Sequence, residues 1–96
     1  MPKSTDPFVD LRNEVDQINK DLSSLLERRF KILDKIFEIK KARKIPPFDF
    51  VRHQEMLDQI KDNCSLTVEP YVTPIMEEVF HQGAQYLAHT FKKESE

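Results

Sequence analysis

The sequence predicts an all-α protein of three helices, one long, one short and one medium. Three observations carry that prediction. Apolar residues recur at helical spacing over residues 8–44, with no proline or glycine among them. Pro46 and Pro47 then close that segment. Two further segments, from Asp49 to about Asp62 and from Thr67 or Thr73 to about Phe91, repeat helical spacing.

In the first helix the apolar positions are Leu11, Val15, Ile18, Leu22 and Leu25, then Ile32, Ile36 and Ile39. Steps of three and four line one face of a helix. Position 29, where that face should continue, holds Arg29. At 1.5 Å per residue the helix is roughly 50 Å long, whereas a compact chain of this size has a radius of gyration of about 13 Å. The remaining residues are too few to cover it, so the stripe calls for a second copy of the chain. Asp10, Glu14 and Asp16 near its start and Lys40, Lys41, Arg43 and Lys44 near its end suit the helix dipole.

Lys40 is set apart from the other terminal cations. It follows Arg29 by eleven residues, which returns it to within about 20° of the same azimuth. A cation in an apolar stripe needs an anion, either an acidic side chain or an anionic ligand. Arg52 repeats the theme. It falls in the first turn of the second helix, where the dipole disfavours a cation, just after Asp49, a good N-cap.

The second helix presents Phe50, Met56, Leu57 and Ile60 as its apolar side. In the third, Pro74 suits a first helical position, and Ile75, Met76, Val79, Phe80, Gly83, Tyr86 and Leu87 form the face to be buried. Residues 1–7 are polar and are expected to fray; the whole chain of 96 residues reads as one domain.

Composition narrows the function classes. A third of the residues are charged but the net charge is only -2, which points away from nucleic acid. The single cysteine, Cys64, has no disulfide partner and no metal-ligand companion, which fits a cytoplasmic location and no metal. No apolar run approaches 18 residues, so no membrane partner is expected. Gly83 is the only glycine, which excludes a glycine-rich phosphate loop; no cofactor is implied.

Taken together, Leu11-Arg12, Val15-Asp16-Gln17-Ile18, Leu25-Leu26-Glu27-Arg28-Arg29, Ile39-Lys40, Pro47-Phe48-Asp49 and Arg52 form a spaced series. That series resembles the all-helical class of chorismate mutase, the type II family, whose pattern runs LR, IDxID, LLxxR, a later lysine and PxxDxxRE. The resemblance covers nearly the whole chain and is most specific in its first half. It implies an intertwined helical homodimer with two equivalent sites between subunits. It also implies a chorismate mutase of aromatic amino-acid (Phe/Tyr) biosynthesis, on the shikimate pathway, rearranging chorismate to prephenate.

That reaction is pericyclic. It needs no nucleophile and no obligatory proton transfer, only a held conformer and donors where charge develops on the ether oxygen. The resemblance assigns Arg29 and the partner's Arg12 to clamping the substrate carboxylates. Lys40 would hold a carboxylate and donate to the ether oxygen, Arg52 would support the cationic pocket, and Asp49 would bind the ring hydroxyl through its backbone. Arg12 lies seventeen residues before Arg29, about 25 Å along one helix, so only an antiparallel partner brings the two to one ligand.

Three positions depart from the family pattern. His53 stands where a glutamate usually contacts the substrate hydroxyl. Gly83 and Leu87 stand where a serine and an ether-oxygen glutamine donor usually lie. A missing donor of that kind is worth about 10²–10³ in rate. The departures leave open a catalytically impaired or regulatory homologue, and an isochorismate-pyruvate lyase on the same scaffold. The Asp49 hydroxyl contact favours the mutase over the lyase.

Overall fold

The computed structural model describes residues 6–95, with side chains described as far as Thr90. It contains three helices, α1 (Pro7–Arg43), α2 (Phe50–Asn63) and α3 (Glu69–Ser95), and no strand among the described residues. No helix among them is long and apolar enough to cross a membrane. Two compact bodies divide the chain, one ending at Ile32 and one beginning at Leu33.

The first body is the N-terminal part of α1. Asp6 starts it, its carboxylate accepting the Phe8 backbone N–H at 2.9 Å, so Asp6 acts as N-cap and Pro7 takes the first helical position. Of the segment expected to fray, residues 1–5 lie outside the described residues, and Pro7 is already helical. Along this part Leu11, Val15, Ile18, Leu22 and Leu25 are all 53–60% exposed, so the apolar stripe is present and uncovered within the chain.

The second body comprises residues 33–95. α1 ends two residues before Pro46 through a Schellman turn. The Ile45 N–H bonds the Lys40 carbonyl at 2.8 Å, and the Lys44 N–H reaches the Lys41 carbonyl at 3.3 Å. Lys44 occupies the left-handed position such a turn requires, with φ 55°, where glycine is the usual residue. Asp49 then caps α2 as expected, its side chain accepting the Arg52 N–H at 3.1 Å.

α3 starts near the earlier of the two expected points, Thr67, rather than at Thr73. A turn at Ser65 and Val68 leads directly into Glu69, so Pro70 rather than Pro74 lies in the first turn, where a missing N–H has no intrahelical partner to lose. Pro74 is inside the helix, which continues past Phe91 to Ser95.

The core of this body is small: Phe37 at 3% exposure, with Phe80 and Leu87 at 6% each, and the buried Gly83. Leu33, Met56, Leu57, Ile60, Met76, Val79 and Tyr86 are half-buried around it. Two expectations fail here. Phe37 lies off the predicted stripe, one residue from Ile36 and so about 100° around α1, yet it is the most buried side chain. Its ring also lies beneath the Lys41 ammonium at 5.8 Å. Conversely Phe50 and Ile75, expected on buried faces, are exposed.

Pro74 removes one backbone hydrogen bond and crowds the carbonyl four residues earlier. Pro74→Ala should therefore raise stability by about 1–3 kcal/mol. A thermal melt checks this, and an unchanged or lower midpoint would mean that the packing of α3 depends on the proline.

Candidate functional site

The site residues named from the sequence separate between the two bodies. Arg12 and Arg29 belong to the first. Arg12 is exposed, its guanidinium 4.5 Å from the centroid of the Phe8 ring. Arg29 is half-buried and engaged within the chain. One straight helix carries both, about 25 Å apart along its axis, so no small ligand meets both within one chain.

Lys40, Asp49, Arg52, His53, Gly83 and Leu87 belong to the second body. Lys40 is half-buried, and its ammonium donates to the Pro47 carbonyl at 2.8 Å. Asp49, two residues beyond Pro47, spends a carboxylate oxygen on capping α2 at the N–H of Arg52. The Arg52 guanidinium lies 3.6 Å from Glu55 in an exposed pair, worth little in water and easily exchanged for another anion. Lys40, the connector and the first turn of α2 thus form one run of hydrogen-bonded groups whose two cations lack a strong internal anion.

His53 sits between two rings, 5.7 Å from Phe48 and 5.9 Å edge-on to Phe80. It joins α2 to α3 and lines an open cleft of about 440 Å³ with Phe48, Pro74, Glu77, Glu78, His81 and Ala84. His53 is the only residue expected at the substrate that this cleft contains. Among the described residues no group of three metal-ligating side chains is gathered, despite the two histidines and two glutamates here. Gly83 and Leu87 are buried instead and do not line this cleft.

Sequence reasoning missed two polar contacts. One is the Pro47 carbonyl, which has no side-chain signature. The other joins α3 to the end of α1: the Tyr86 hydroxyl donates to the Asp34 carboxylate at 2.5 Å. That bond, with a smaller contribution from desolvation and from the Asp34 charge, raises the Tyr86 phenol above its ordinary value of 10.0. Asp34 interrupts the apolar pattern beside Leu33, and that polar residue was the available signal.

The sequence pattern of the family described as Chorismate mutase type II matches residues 11–86, which span every site residue but Leu87. The chain belongs to the chorismate mutase type II family. No curated protein matches it. Membership rests on the match over most of the chain, and the all-helical architecture agrees with it.

Because Asp34 stabilises the protonated phenol, Tyr86 contributes stability that is fully present below about pH 10 and lost as pH rises through its raised folded value. A Tyr71→Phe protein, in which Tyr86 is the remaining tyrosine, should show tyrosinate absorbance appearing above the ordinary phenol range. Adding Tyr86→Phe should flatten the alkaline loss of melting temperature. An ordinary titration midpoint would show that the bond does not persist in solution.

Proposed function

We propose that the protein is a chorismate mutase, rearranging chorismate to prephenate for aromatic amino-acid biosynthesis, as an intertwined antiparallel homodimer in the cytoplasm. The observation that carries the reading is the family match over residues 11–86; the resemblance of the sequence to the family's motif then assigns Arg12, Arg29, Lys40, Asp49 and Arg52 to the site. The unpaired thiol of Cys64 agrees with a reducing compartment.

The exposed stripe supports the dimer. Phe8, Leu11, Val15, Ile18, Leu22, Leu25, Arg29 and Ile32 follow steps of three and four that read the same from either end, centred on Lys20. Two copies crossing antiparallel at Lys20 set Ile18 against Leu22 of the partner subunit and Val15 against Leu25 of the partner subunit. The same register lays Leu11 against Arg29 of the partner subunit, so Arg12 of one chain comes beside Arg29 of the other. Two guanidiniums drawn together at an otherwise apolar seam favour an anionic ligand there.

A dicarboxylate supplies it. In this reading Arg29 and the partner's Arg12 each form a bidentate pair with a substrate carboxylate. Lys40 holds a carboxylate and donates toward the ether oxygen as its bond to carbon breaks. Arg52 adds positive potential, and the backbone at Asp49 takes the ring hydroxyl. Catalysis then comes from restricting the substrate to its reactive conformer and from donors already in place where charge develops. His53 offers a ring nitrogen in place of a carboxylate. Gly83 and Leu87 offer no side-chain donor, which favours slow turnover and keeps the impaired or regulatory homologue as the second reading.

Prephenate formation measured at high enzyme concentration, beside a parallel assay on isochorismate, tests the reaction. Arg29→Ala should cut both turnover and binding of a dicarboxylate transition-state analogue by on the order of 10²–10³, the worth of two charge-assisted hydrogen bonds. Arg28→Ala should be mild. Equal losses from the two substitutions would make Arg29 structural, and turnover of isochorismate alone would move the activity to the lyase.

Crosslinking reads the register. In a Cys64→Ser background, Ile18→Cys and Leu22→Cys chains should form a disulfide-linked dimer when refolded as a mixture, and neither should do so alone. Leu22→Cys crosslinking to itself would indicate a parallel pair.

A further inference from the structure

The connector between α1 and α2 holds Lys40 twice. Its backbone carbonyl accepts the Ile45 N–H at 2.8 Å, closing the Schellman turn, and its ammonium donates to the Pro47 carbonyl at 2.8 Å. Both bonds require the chain to reverse direction at Lys44, the one described non-glycine residue with positive φ. The Lys44 side chain is exposed and no contact of it contributes to the turn, so its backbone conformation is what matters. Beyond Ile45, Pro46 and Pro47 fix their own φ angles, which narrows the paths by which the connector can bring the Pro47 carbonyl back to Lys40.

The acceptor is also chemically apt. An ammonium has three donors. A carboxylate at this place would orient the group but neutralise it, whereas a carbonyl is a neutral dipole that orients it and leaves its full charge. One N–H is fixed on Pro47 and two remain to be aimed elsewhere. Lysine otherwise carries about 2 kcal/mol of rotamer entropy that a ligand would have to quench, so a half-buried, tethered head is preorganised for an anion.

We infer that Lys44 is a positioning residue: its left-handed backbone sets the Pro47 carbonyl, and that carbonyl aims the Lys40 ammonium at the substrate. The inference rests on the proposed role of Lys40 and adds a group, Lys44, that touches no substrate. It orders the substitutions at position 44 by backbone preference rather than by charge. Glycine adopts positive φ freely, and valine, being β-branched, resists it.

The experiment compares Lys44→Gly and Lys44→Val in the full-length protein by two readouts, with circular dichroism confirming helix content. The first needs no ligand: in protein labelled with ¹⁵N-lysine, the Lys40 ammonium should give a slowly exchanging signal in the wild type and in Lys44→Gly, and lose it in Lys44→Val. The second is kinetic. Lys44→Val should lower kcat for prephenate formation by about ten- to a hundred-fold, the scale of a misplacement near 1 Å, with a smaller change in KM. Lys44→Gly should stay near the wild-type value.

Where Lys44→Val does not fold, Pro47→Gly, which frees the direction of the same carbonyl, takes its place with the same expected losses. If valine and glycine behave alike in both readouts while the helices persist, the inference is overturned. If the ammonium signal follows the expected order but no protein, wild type included, turns over chorismate, the positioning stands and the mutase reading falls.

Discussion

The structure depends on how the apolar stripe of α1 leaves water. Between Phe8 and Ile32 every apolar residue of the stripe is half exposed or more, except Ile32 at 46%. Helices in water owe most of their stability to packing of such a face rather than to propensity, so this part of α1 has little reason to persist uncovered. Fully burying one aliphatic side chain contributes about 1.5–3 kcal/mol, and a self-complementary stripe of this length would supply several of them from each copy. In the proposed dimer, helix formation, association and assembly of the anion clamp then become one equilibrium, whose apparent stability rises with protein concentration.

That constraint also explains the division of labour on the end of α1. Ile32, Ile36 and Ile39 continue the exposed stripe, while Leu33 and Phe37 turn about 100° away to serve the core of their own body. Periodicity alone could not assign these faces, because both are apolar and the sequence reading followed the longer one. Phe37, the most buried side chain, was therefore missed. The same limit left the start of α3 open between Thr67 and Thr73. Two prolines four residues apart both suit a helix start, and only the turn at Ser65 and Val68 shows that Pro70 takes it.

Features carried by a single side chain's chemistry were legible. Asp49 was read as a cap because its carboxylate must satisfy an N–H two or three residues on, and it does. Arg29, Lys40 and Arg52 stood out because cations in those places are costly without anions. Features carried by backbone or by burial were not legible: the Pro47 carbonyl has no residue-type signal, and nothing in the spacing distinguishes Leu87 facing a ligand from Leu87 in a core. The structure places Leu87 in the core at 6% exposure. A polar side chain there would have to find a partner or lose about 1–3 kcal/mol, so leucine at this position serves packing.

Those two facts bear on each other. In the proposed site, an apolar Leu87 would remove a donor from the place where the resemblance puts one, and it would exclude water from the same place. Exclusion of water strengthens whatever electrostatic interaction remains, because field lines from a fixed charge are less screened. In the proposed site the group left to exploit that is Lys40, held by a neutral carbonyl that preserves its charge, while Arg52 is exposed and only loosely paired with Glu55. In the proposed mutase, a site so arranged would concentrate on one tethered ammonium the stabilisation that two donors would otherwise share. Its rate would then depend less on adding a second hydrogen bond than on how rigidly the connector from Lys44 to Asp49 holds the first.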